Sequence, residues 1–166
     1  MTNAQKRSQG VSIMGNVRLA DIVDGMEMQS DEMTGYLHRP TGRVITVRDE
    51  AIAAAEDDDT DFTEEEELAD ARGIVEGGPD YLALPDRFEI DEYSMMERFA
   101  LSTVDAGAQD QLLSALKGTR VFRRFKDEVL RLDLAEKWYA YRDQEYERVA
   151  RDWCEANDID LDAGPA

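Results

Sequence analysis

The chain has 166 residues, a formal net charge of −19 and a hydrophobic content of 42%, which suits one domain with a modest core and argues against wholesale disorder. It has one cysteine, so no internal disulfide, and no apolar run long enough for a signal peptide or a membrane span, and a reducing cytoplasm is therefore the expected location. Because phosphates are bound mainly by lysine and arginine, this acidity predicts no direct binding of nucleic acid or of an anionic membrane.

The first predicted element is a helix that follows a tail. Residues 1–15 are interpreted as a flexible tail. Residues 18–29 have apolar side chains at helical spacing, although Gly25 weakens the helix. The apolar positions are Leu19, Ile22, Val23 and Met26.

A β-hairpin is predicted next and completes a first segment over residues 16–48. Apolar and polar residues alternate on either side of residues 39–42, RPTG. Proline in the second position and glycine in the fourth favour a type I turn. A lone hairpin is marginal in water, so it needs cover from helices or a third strand. Residues 81–84, YLAL, are the candidate for that strand.

The most acidic stretch lies between the hairpin and the candidate strand. Residues 49–70 contain twelve acidic side chains and no basic one. Because like charges repel, residues 49–62 are predicted to form a solvated acidic linker. Thr63 and Glu66 have the spacing of a helix capping box, and the glycine pair 77–78 is expected to end that helix. Its apolar face would contain Leu68, Ala71, Ile74 and Val75.

The rest of the chain is predicted to be helical. Residues 63–158 are assigned to a helical body that forms one domain with residues 16–48, and residues 159–166 to a tail. The fold class is therefore α+β, with an N-terminal helix and a small β-hairpin packed on a mostly helical C-terminal half. Four residues precede helical stretches as N-cap residues do: Asp91, Asp105, Thr119 and Asp133.

Residues 120–132 separate apolar and basic side chains onto opposite helix faces. Both phenylalanines are expected to be buried, which weakens any nucleic-acid interpretation, because stacking requires exposed rings beside basic groups. The basic stripe is either a solvated face, a counter-charge to the acidic segment, or a site for an acidic partner. The apolar face contains Val121, Phe122, Phe125, Val129 and Leu132, and the stripe contains Arg120, Arg123, Arg124 and Arg131.

The last predicted helix has a broad aromatic stripe within which Arg142 and Glu145 project. Arg142 is one turn from Trp138, so a cation–π contact or a partly buried ion pair is expected. The alternative is a charged notch in an aromatic-lined groove that faces a partner. The stripe contains Leu134, Trp138, Tyr141, Tyr146, Val149 and Trp153.

The residue sets of common metal and catalytic sites are missing from the sequence. His38 is the only histidine and Cys154 the only cysteine, so no zinc set exists. A calcium loop that begins at Asp57 would have Phe62 where glycine is required. No phosphate loop, dinucleotide fingerprint or nucleophile elbow occurs. No metal, cofactor or catalytic residue is therefore predicted.

Three stretches share the pattern of a known family: residues 20–47 (ADIVDGMEMQSDEMTGYLHRPTGRVITV), residues 81–99 (YLALPDRFEIDEYSMMERF) and residues 122–159 (FRRFKDEVLRLDLAEKWYAYRDQEYERVARDWCEANDI). They resemble an uncharacterised bacterial protein family, number one-five-eight of the UPF series. The resemblance implies a shared fold with an N-terminal helix, a hairpin and a helical C-terminal half. It implies no activity and no catalytic residues.

Three functional hypotheses follow from these observations. The first is a non-catalytic cytoplasmic binding or regulatory module that acts through contacts with an acidic protein, with homo-oligomerisation left open. The second is an acidic DNA mimic that inhibits a DNA-binding protein, and the third is an enzyme that uses Glu145 and Arg142. The candidate partner-binding residues are Arg120, Arg123, Arg124, Arg131, Arg142, Glu145, Trp138 and Trp153.

Overall fold

A computed structural model describes residues 16–57 and 64–162. The predicted tail at residues 1–15, Thr63 of the predicted capping box and the last four residues lie outside this range. The chain divides into two compact units. We call the described residues up to Asp86, together with those from Val149 onward, the sheet unit, and Arg87–Arg148 the helical unit. This division does not follow the predicted boundaries.

The sheet unit contains a three-stranded antiparallel sheet with β1 in the centre. The predicted hairpin and third strand are both confirmed: Tyr36 of the central strand pairs with Ile45 on one side and with Ala83 on the other. Gly42 closes the hairpin turn with φ of 72°. The elements are α1 (Leu19–Met28), β1 (Met33–His38), β2 (Arg43–Arg48), α2 (Asp49–Glu56), α3 (Glu65–Gly77), a 3₁₀ turn (Gly78–Asp80) and β3 (Tyr81–Ala83).

Gly25 allows α1 to lie close to the sheet. A β-carbon at this position would lie 2.6 Å from Leu84 Cδ1 and 2.7 Å from Val44 Cγ1, which is shorter than a van der Waals contact. The glycine that weakens the helix by propensity is therefore favoured by the packing, since any larger residue would displace the side chains of Leu84 and Val44. Ile22 and Met26 of the same helix are buried, as their spacing predicts.

The prediction of an acidic linker over residues 49–62 is wrong for its first part. Asp49–Glu56 forms α2, and Ala51 and Ala54 are buried. The sequence AIAAA has high helix propensity, and the acids Asp49 and Glu50 lie in the first turn, where the helix dipole favours negative charge. Local propensity and a small buried face therefore outweigh the charge repulsion on which the prediction depended.

Arg48, the last residue of β2, supplies the counter-charge for this acidic region. Its side chain binds Glu67 of α3, with 2.8 Å between Nη2 and Oε2, and binds Glu64 at 2.9 Å. Its backbone N–H also donates to Glu67 Oε1 at 2.8 Å. These hydrogen bonds from Arg48 lower the pKa of Glu67 below its ordinary value. The resulting Arg48 clamp fastens the start of α3 to the end of the sheet.

Residues 159–162 are not the tail that was predicted. Ile159 is buried, Leu161 forms a β-bridge with Val17, and the N–H of Asp162 donates to Val17 O at 2.6 Å. Val17 is itself fully buried. The two ends of the described chain therefore hold each other in place within the sheet unit.

The helical unit confirms the prediction of a mostly helical C-terminal half. Asp91 and Asp105 are N-caps whose side chains accept from the N–H of Ser94 and Ala108. The predicted cap at Thr119 is wrong, since Arg120 occupies the N-cap position with φ of 56° and no side-chain cap bond. The helices are α4 (Arg87–Ile90), α5 (Glu92–Ser102), α6 (Ala106–Ala115), α7 (Val121–Arg131) and α8 (Ala135–Ala156), of which the part after Arg148 belongs to the sheet unit.

An aromatic cluster forms the core of the helical unit. Phe99 of α5, Phe125 of α7 and Trp138 of α8 meet edge-to-face, with ring centroids 5.1–6.3 Å apart. Tyr141 packs beside Phe99 at 5.6 Å. Edge-to-face geometry brings the positive edge of one ring to the negative face of the next. Three helices are therefore joined by one cluster.

No helix in the described ranges combines the length and the apolar composition needed to cross a bilayer.

Candidate functional site

Helix α7 has a buried face and an exposed apolar face. Phe125 and Val129 are each 1% exposed, as predicted, but Phe122 is 50% exposed and Leu130 is 55% exposed. The prediction that both phenylalanines are buried is therefore wrong. The position of a residue on a helical wheel assigns its side chain to a face of the helix. It does not show how far along that face the neighbouring helices extend to cover it. Phe122 lies in the first turn of α7, whereas Phe125 lies opposite Phe99 and Trp138.

Two of the four arginines in the predicted stripe are engaged within the helical unit. Arg124 donates to Lys117 O and, at 3.4 Å, to Ser114 O near the end of α6. Arg131 forms a paired contact with Glu128, 2.7 Å at its shortest, and also donates to Gln111 Oε1. The Arg131 hydrogen bonds lower the pKa of Glu128. Both arginines therefore have structural contacts that a partner would have to replace.

The other two arginines are uncommitted. Arg120 and Arg123 are exposed, and neither guanidinium group has a hydrogen bond or ion pair with another residue in the part of the chain that the structure describes. Phe122, Lys126 and Leu130 lie four residues apart beside them and form one row along the helix. Asp127 is the acidic residue within the same exposed arc. We call this surface the α7 outer face; it contains Arg120, Phe122, Arg123, Lys126 and Leu130.

The two tryptophans of the predicted aromatic stripe have separate positions. Trp138 is 5% exposed and belongs to the aromatic cluster. Trp153 is half-buried and lies in the sheet unit, where its carbonyl accepts from the side chain of Asn157. Trp138 is therefore a core residue and is not available to a partner.

Arg142 forms the partly buried ion pair expected of it, and its partner is Glu92 of α5. Arg142 Nε lies 2.5 Å from Glu92 Oε1, with both side chains about a quarter exposed. Its guanidinium carbon lies 4.2 Å from the ring centroid of Tyr146. The predicted cation–π contact is therefore made with Tyr146, one turn after Arg142 on α8. Trp138 lies one turn before Arg142, and its ring packs against Phe99 and Phe125.

Glu145 is surrounded by donors. Its carboxylate accepts from Arg148 Nε at 2.7 Å, Tyr141 Oη at 3.0 Å and Arg98 Nη2 at 3.4 Å. Burial alone would raise the pKa of Glu145, but the hydrogen bonds from Arg148 and Tyr141 outweigh burial and the net pKa is lowered. A general acid at neutral pH needs a raised pKa, so this environment fits a structural link between α8 and α5.

The residues with metal or nucleophilic chemistry are dispersed. His38 Nδ1 lies 2.7 Å from Thr41 Oγ1 in the hairpin, and its ring packs on Tyr81. Cys154 is buried, which raises the pKa of its thiol to about 11 and disfavours the reactive thiolate. Within the described residues, no group of three histidine, cysteine or acidic side chains could hold a metal ion.

A second exposed apolar site, between α5 and α6, was not predicted. Val104 is fully exposed and Leu101 is 57% exposed. Glu97 lies one turn before Leu101 on α5, and Asp105 follows Val104. The available signal was Val104 itself, an apolar residue directly before an N-cap aspartate and outside any helix. We call Glu97, Leu101, Val104 and Asp105 the α5–α6 corner.

The fold defines an α+β protein with a small antiparallel sheet and a mostly helical C-terminal half. The family model described as Uncharacterised protein family (UPF0158) matches the sequence over residues 14–164. The chain therefore belongs to this family, and the resemblance noted in its sequence is confirmed. No curated protein and no solved structure matches the chain.

Proposed function

We propose that this protein is a non-catalytic cytoplasmic binding or regulatory module, and that it acts through contacts between the α7 outer face and an acidic protein surface. The observation that carries the proposal is the composition of that face. It combines two half-exposed apolar side chains, Phe122 and Leu130, with two arginines whose guanidinium groups have no described partner. Arginine and large aromatic side chains contribute most of the binding energy in protein interfaces.

The local charge favours an acidic partner. Residues 117–131 contain six basic and two acidic side chains, whereas the whole chain has a net charge of −19. Guanidinium groups bind carboxylates in a bidentate geometry, so Arg120 and Arg123 suit an acidic protein surface. The acid excess elsewhere disfavours DNA, which presents a continuous row of phosphates.

The experiment uses a fluorescent synthetic helix with glutamates on one face and leucines on the other. We expect the full chain to bind this peptide at low salt, and to bind it progressively more weakly as salt is added, because exposed charge pairs are screened. A peptide with lysine in place of glutamate should not bind. Fluorescence anisotropy measures both affinities.

The test variant is Arg120→Glu/Arg123→Glu, which leaves the structural contacts of Arg124 and Arg131 intact. It should lower the affinity for the acidic peptide by at least about tenfold, because a loss of about 1.4 kcal/mol of binding free energy already lowers the affinity by that factor. The matched control is Arg43→Glu/Lys137→Glu, which changes the net charge of the chain by the same amount at exposed positions outside the α7 outer face. Equal losses in the two variants would show only a general charge effect and would contradict the proposal.

A DNA mimic is the second candidate, and one observation favours it. Part of the acidic stretch is ordered in α2 and α3, whereas a mimic needs carboxylates held at fixed positions. Against this, the Arg48 clamp engages Glu64 and Glu67 within that region and offsets one of their two negative charges. A mimic would displace duplex DNA from a basic DNA-binding protein, and the Arg120→Glu/Arg123→Glu variant would do so equally well.

A further inference from the structure

The α5–α6 corner is an apolar projection with an acidic border. Val104 is 100% exposed and Leu101 is 57% exposed, and both Glu97 and Asp105 are exposed beside them. The side chains of Glu97 and Val104 have no hydrogen bond, ion pair or ring contact with another described residue. Val104 and Leu101 bury little apolar surface within the chain, so this apolar pair is available for contact with another protein surface.

The corner is held in one conformation by its own polar groups. Ser102 Oγ and Thr103 Oγ1 both donate to Phe99 O, at 2.7 and 3.0 Å. Gln109 Nε2 donates to Leu101 O at 2.9 Å, and Asp105 caps α6. A loop that is already ordered loses little conformational entropy when it binds. Val104 is therefore presented on a pre-organised support.

The corner and the α7 outer face are complementary in charge and alike in apolar character. The corner has Leu101 and Val104 beside two carboxylates, and the outer face has Phe122 and Leu130 beside basic side chains. The corner precedes the first residue of α6, whereas Arg124 of α7 contacts Ser114 in the last turn of α6. The first turns of α7 therefore lie at the opposite end of α6, about 15 Å along the helix axis.

We propose that the α7 outer face of one copy binds the α5–α6 corner of a second copy of this chain. The inference rests on the proposed function and names its partner: the acidic surface that the outer face receives belongs to the protein itself. Two such contacts related by a two-fold axis would close a dimer. In that dimer the α7 outer face of each copy would contact the α5–α6 corner of the other copy.

The test is a charge-swap series measured by sedimentation equilibrium on the full chain. The average mass of the wild type should rise with protein concentration at about 0.1 M salt, where the repulsion between two chains of net charge −19 is screened beyond about 10 Å. It should fall at higher salt, which also screens the contact itself. In the proposed contact Glu97 of one copy faces Arg123 of the other. Glu97→Arg and Arg123→Glu should therefore each weaken self-association by at least about tenfold, because each replaces an attraction by a repulsion. The double variant Glu97→Arg/Arg123→Glu restores opposite charges and should recover the association.

Controls separate this contact from general charge effects. Glu147→Arg and Lys137→Glu change exposed charges on α8 and should leave self-association unchanged. Val104→Asp should abolish it without loss of stability, because Val104 is fully exposed. A wild type that stays monomeric at every concentration, or a double variant that fails to recover, overturns the inference.

Binding of the acidic peptide tests the proposed function separately from self-association. Glu97→Arg and Val104→Asp alter only the corner, so both variants should still bind the acidic peptide, at least as tightly as the wild type, in which a second copy competes for the same face. A monomeric wild type that binds the peptide would overturn the inference and leave the proposed function standing. A chain that neither self-associates nor binds the peptide would overturn both.

Discussion

The sheet unit and the helical unit differ in how their charge and apolar side chains are distributed. Residues 87–148 contain 11 basic and 13 acidic side chains, a net charge of −2, so the rest of the chain carries −17 of the total of −19. Among the described residues, two exposed large apolar side chains lie in the sheet unit, Met28 and Val75. Seven lie in the helical unit: Phe88, Tyr93, Leu101, Val104, Phe122, Leu130 and Tyr139.

This difference shows that the net charge of a chain need not describe each of its parts: the helical unit is nearly neutral although the whole chain carries −19. The acidic residues favour solubility and oppose contact with nucleic acid, whereas a nearly neutral unit with exposed apolar side chains is suited to contact with protein. Charges are screened beyond about 10 Å in ordinary salt. Local composition therefore decides what each surface binds.

The largest expected effect tests whether the two faces of α7 are as different as their exposure indicates. Phe125→Ala should lower the free energy of unfolding by about 3–5 kcal/mol, because it removes a buried ring from the aromatic cluster. Phe122→Ala is the matched control, since it removes the same side chain from the same helix at a half-exposed position, and should cost within about 1 kcal/mol. Urea denaturation measures both, and similar losses would contradict the assignment of faces.

A glycine-to-alanine pair compares helix packing in the two units. Gly25→Ala in α1 should cost about 1–2 kcal/mol, because the new methyl group meets Leu84 and Val44 at under 3 Å and overpacking outweighs the gain in helix propensity. Gly107→Ala in α6 has Asp105 Oδ2 as its nearest neighbour at 3.7 Å, and should stabilise by up to about 1 kcal/mol. Thermal unfolding should therefore move in opposite directions, and a stabilising Gly25→Ala would show that α1 can shift.

The pH dependence of stability tests the Arg48 clamp in the sheet unit. The pKa of Glu67 is lowered from its ordinary value of 4.5, so the carboxylate stabilises the fold fully above that pH. This contribution is lost as the pH falls through the folded-state value. Glu67→Gln should cost on the order of 1 kcal/mol at neutral pH and should flatten the loss of stability between neutral and acidic pH. An unchanged slope in Glu67→Gln would contradict the role of this pair.

The smallest expected effect concerns the two groups of arginines on α7: those that form side-chain hydrogen bonds within the helical unit and those that do not. Arg124→Ala should cost about 1 kcal/mol, because it removes hydrogen bonds to Ser114 O in the last turn of α6 and to Lys117 O just after that helix. Arg123→Ala should change stability within about 0.5 kcal/mol, as most surface substitutions do. Chemical denaturation of the two variants side by side is the measurement. A larger loss in Arg123→Ala would reverse the division between structural and available arginines.

The candidate site was predicted in part. The stripe of arginines was found from helical spacing, but its division into two engaged residues and two uncommitted ones depends on where Ser114, Lys117 and Glu128 lie. The exposure of Phe122 and the α5–α6 corner could not be predicted, since both depend on where the covering helices end. The partner of Arg142, Glu92, lies fifty residues earlier in the sequence, and no spacing rule connects them.

The sequence by itself determined the features that arise from local chemistry. The turn residues predicted the hairpin, and the N-cap residues Asp91 and Asp105 predicted where α5 and α6 begin. Helical periodicity predicted the buried residues Ile22, Phe125 and Val129. The tertiary structure alone decided the features that depend on contacts between distant segments. Gly25 is favoured because α1 lies against the sheet, α2 is helical with Ala51 and Ala54 buried, and residues 159–162 are held by Val17. The physical reason is that propensity and charge act over one or two turns, whereas burial depends on which surface arrives to cover a side chain.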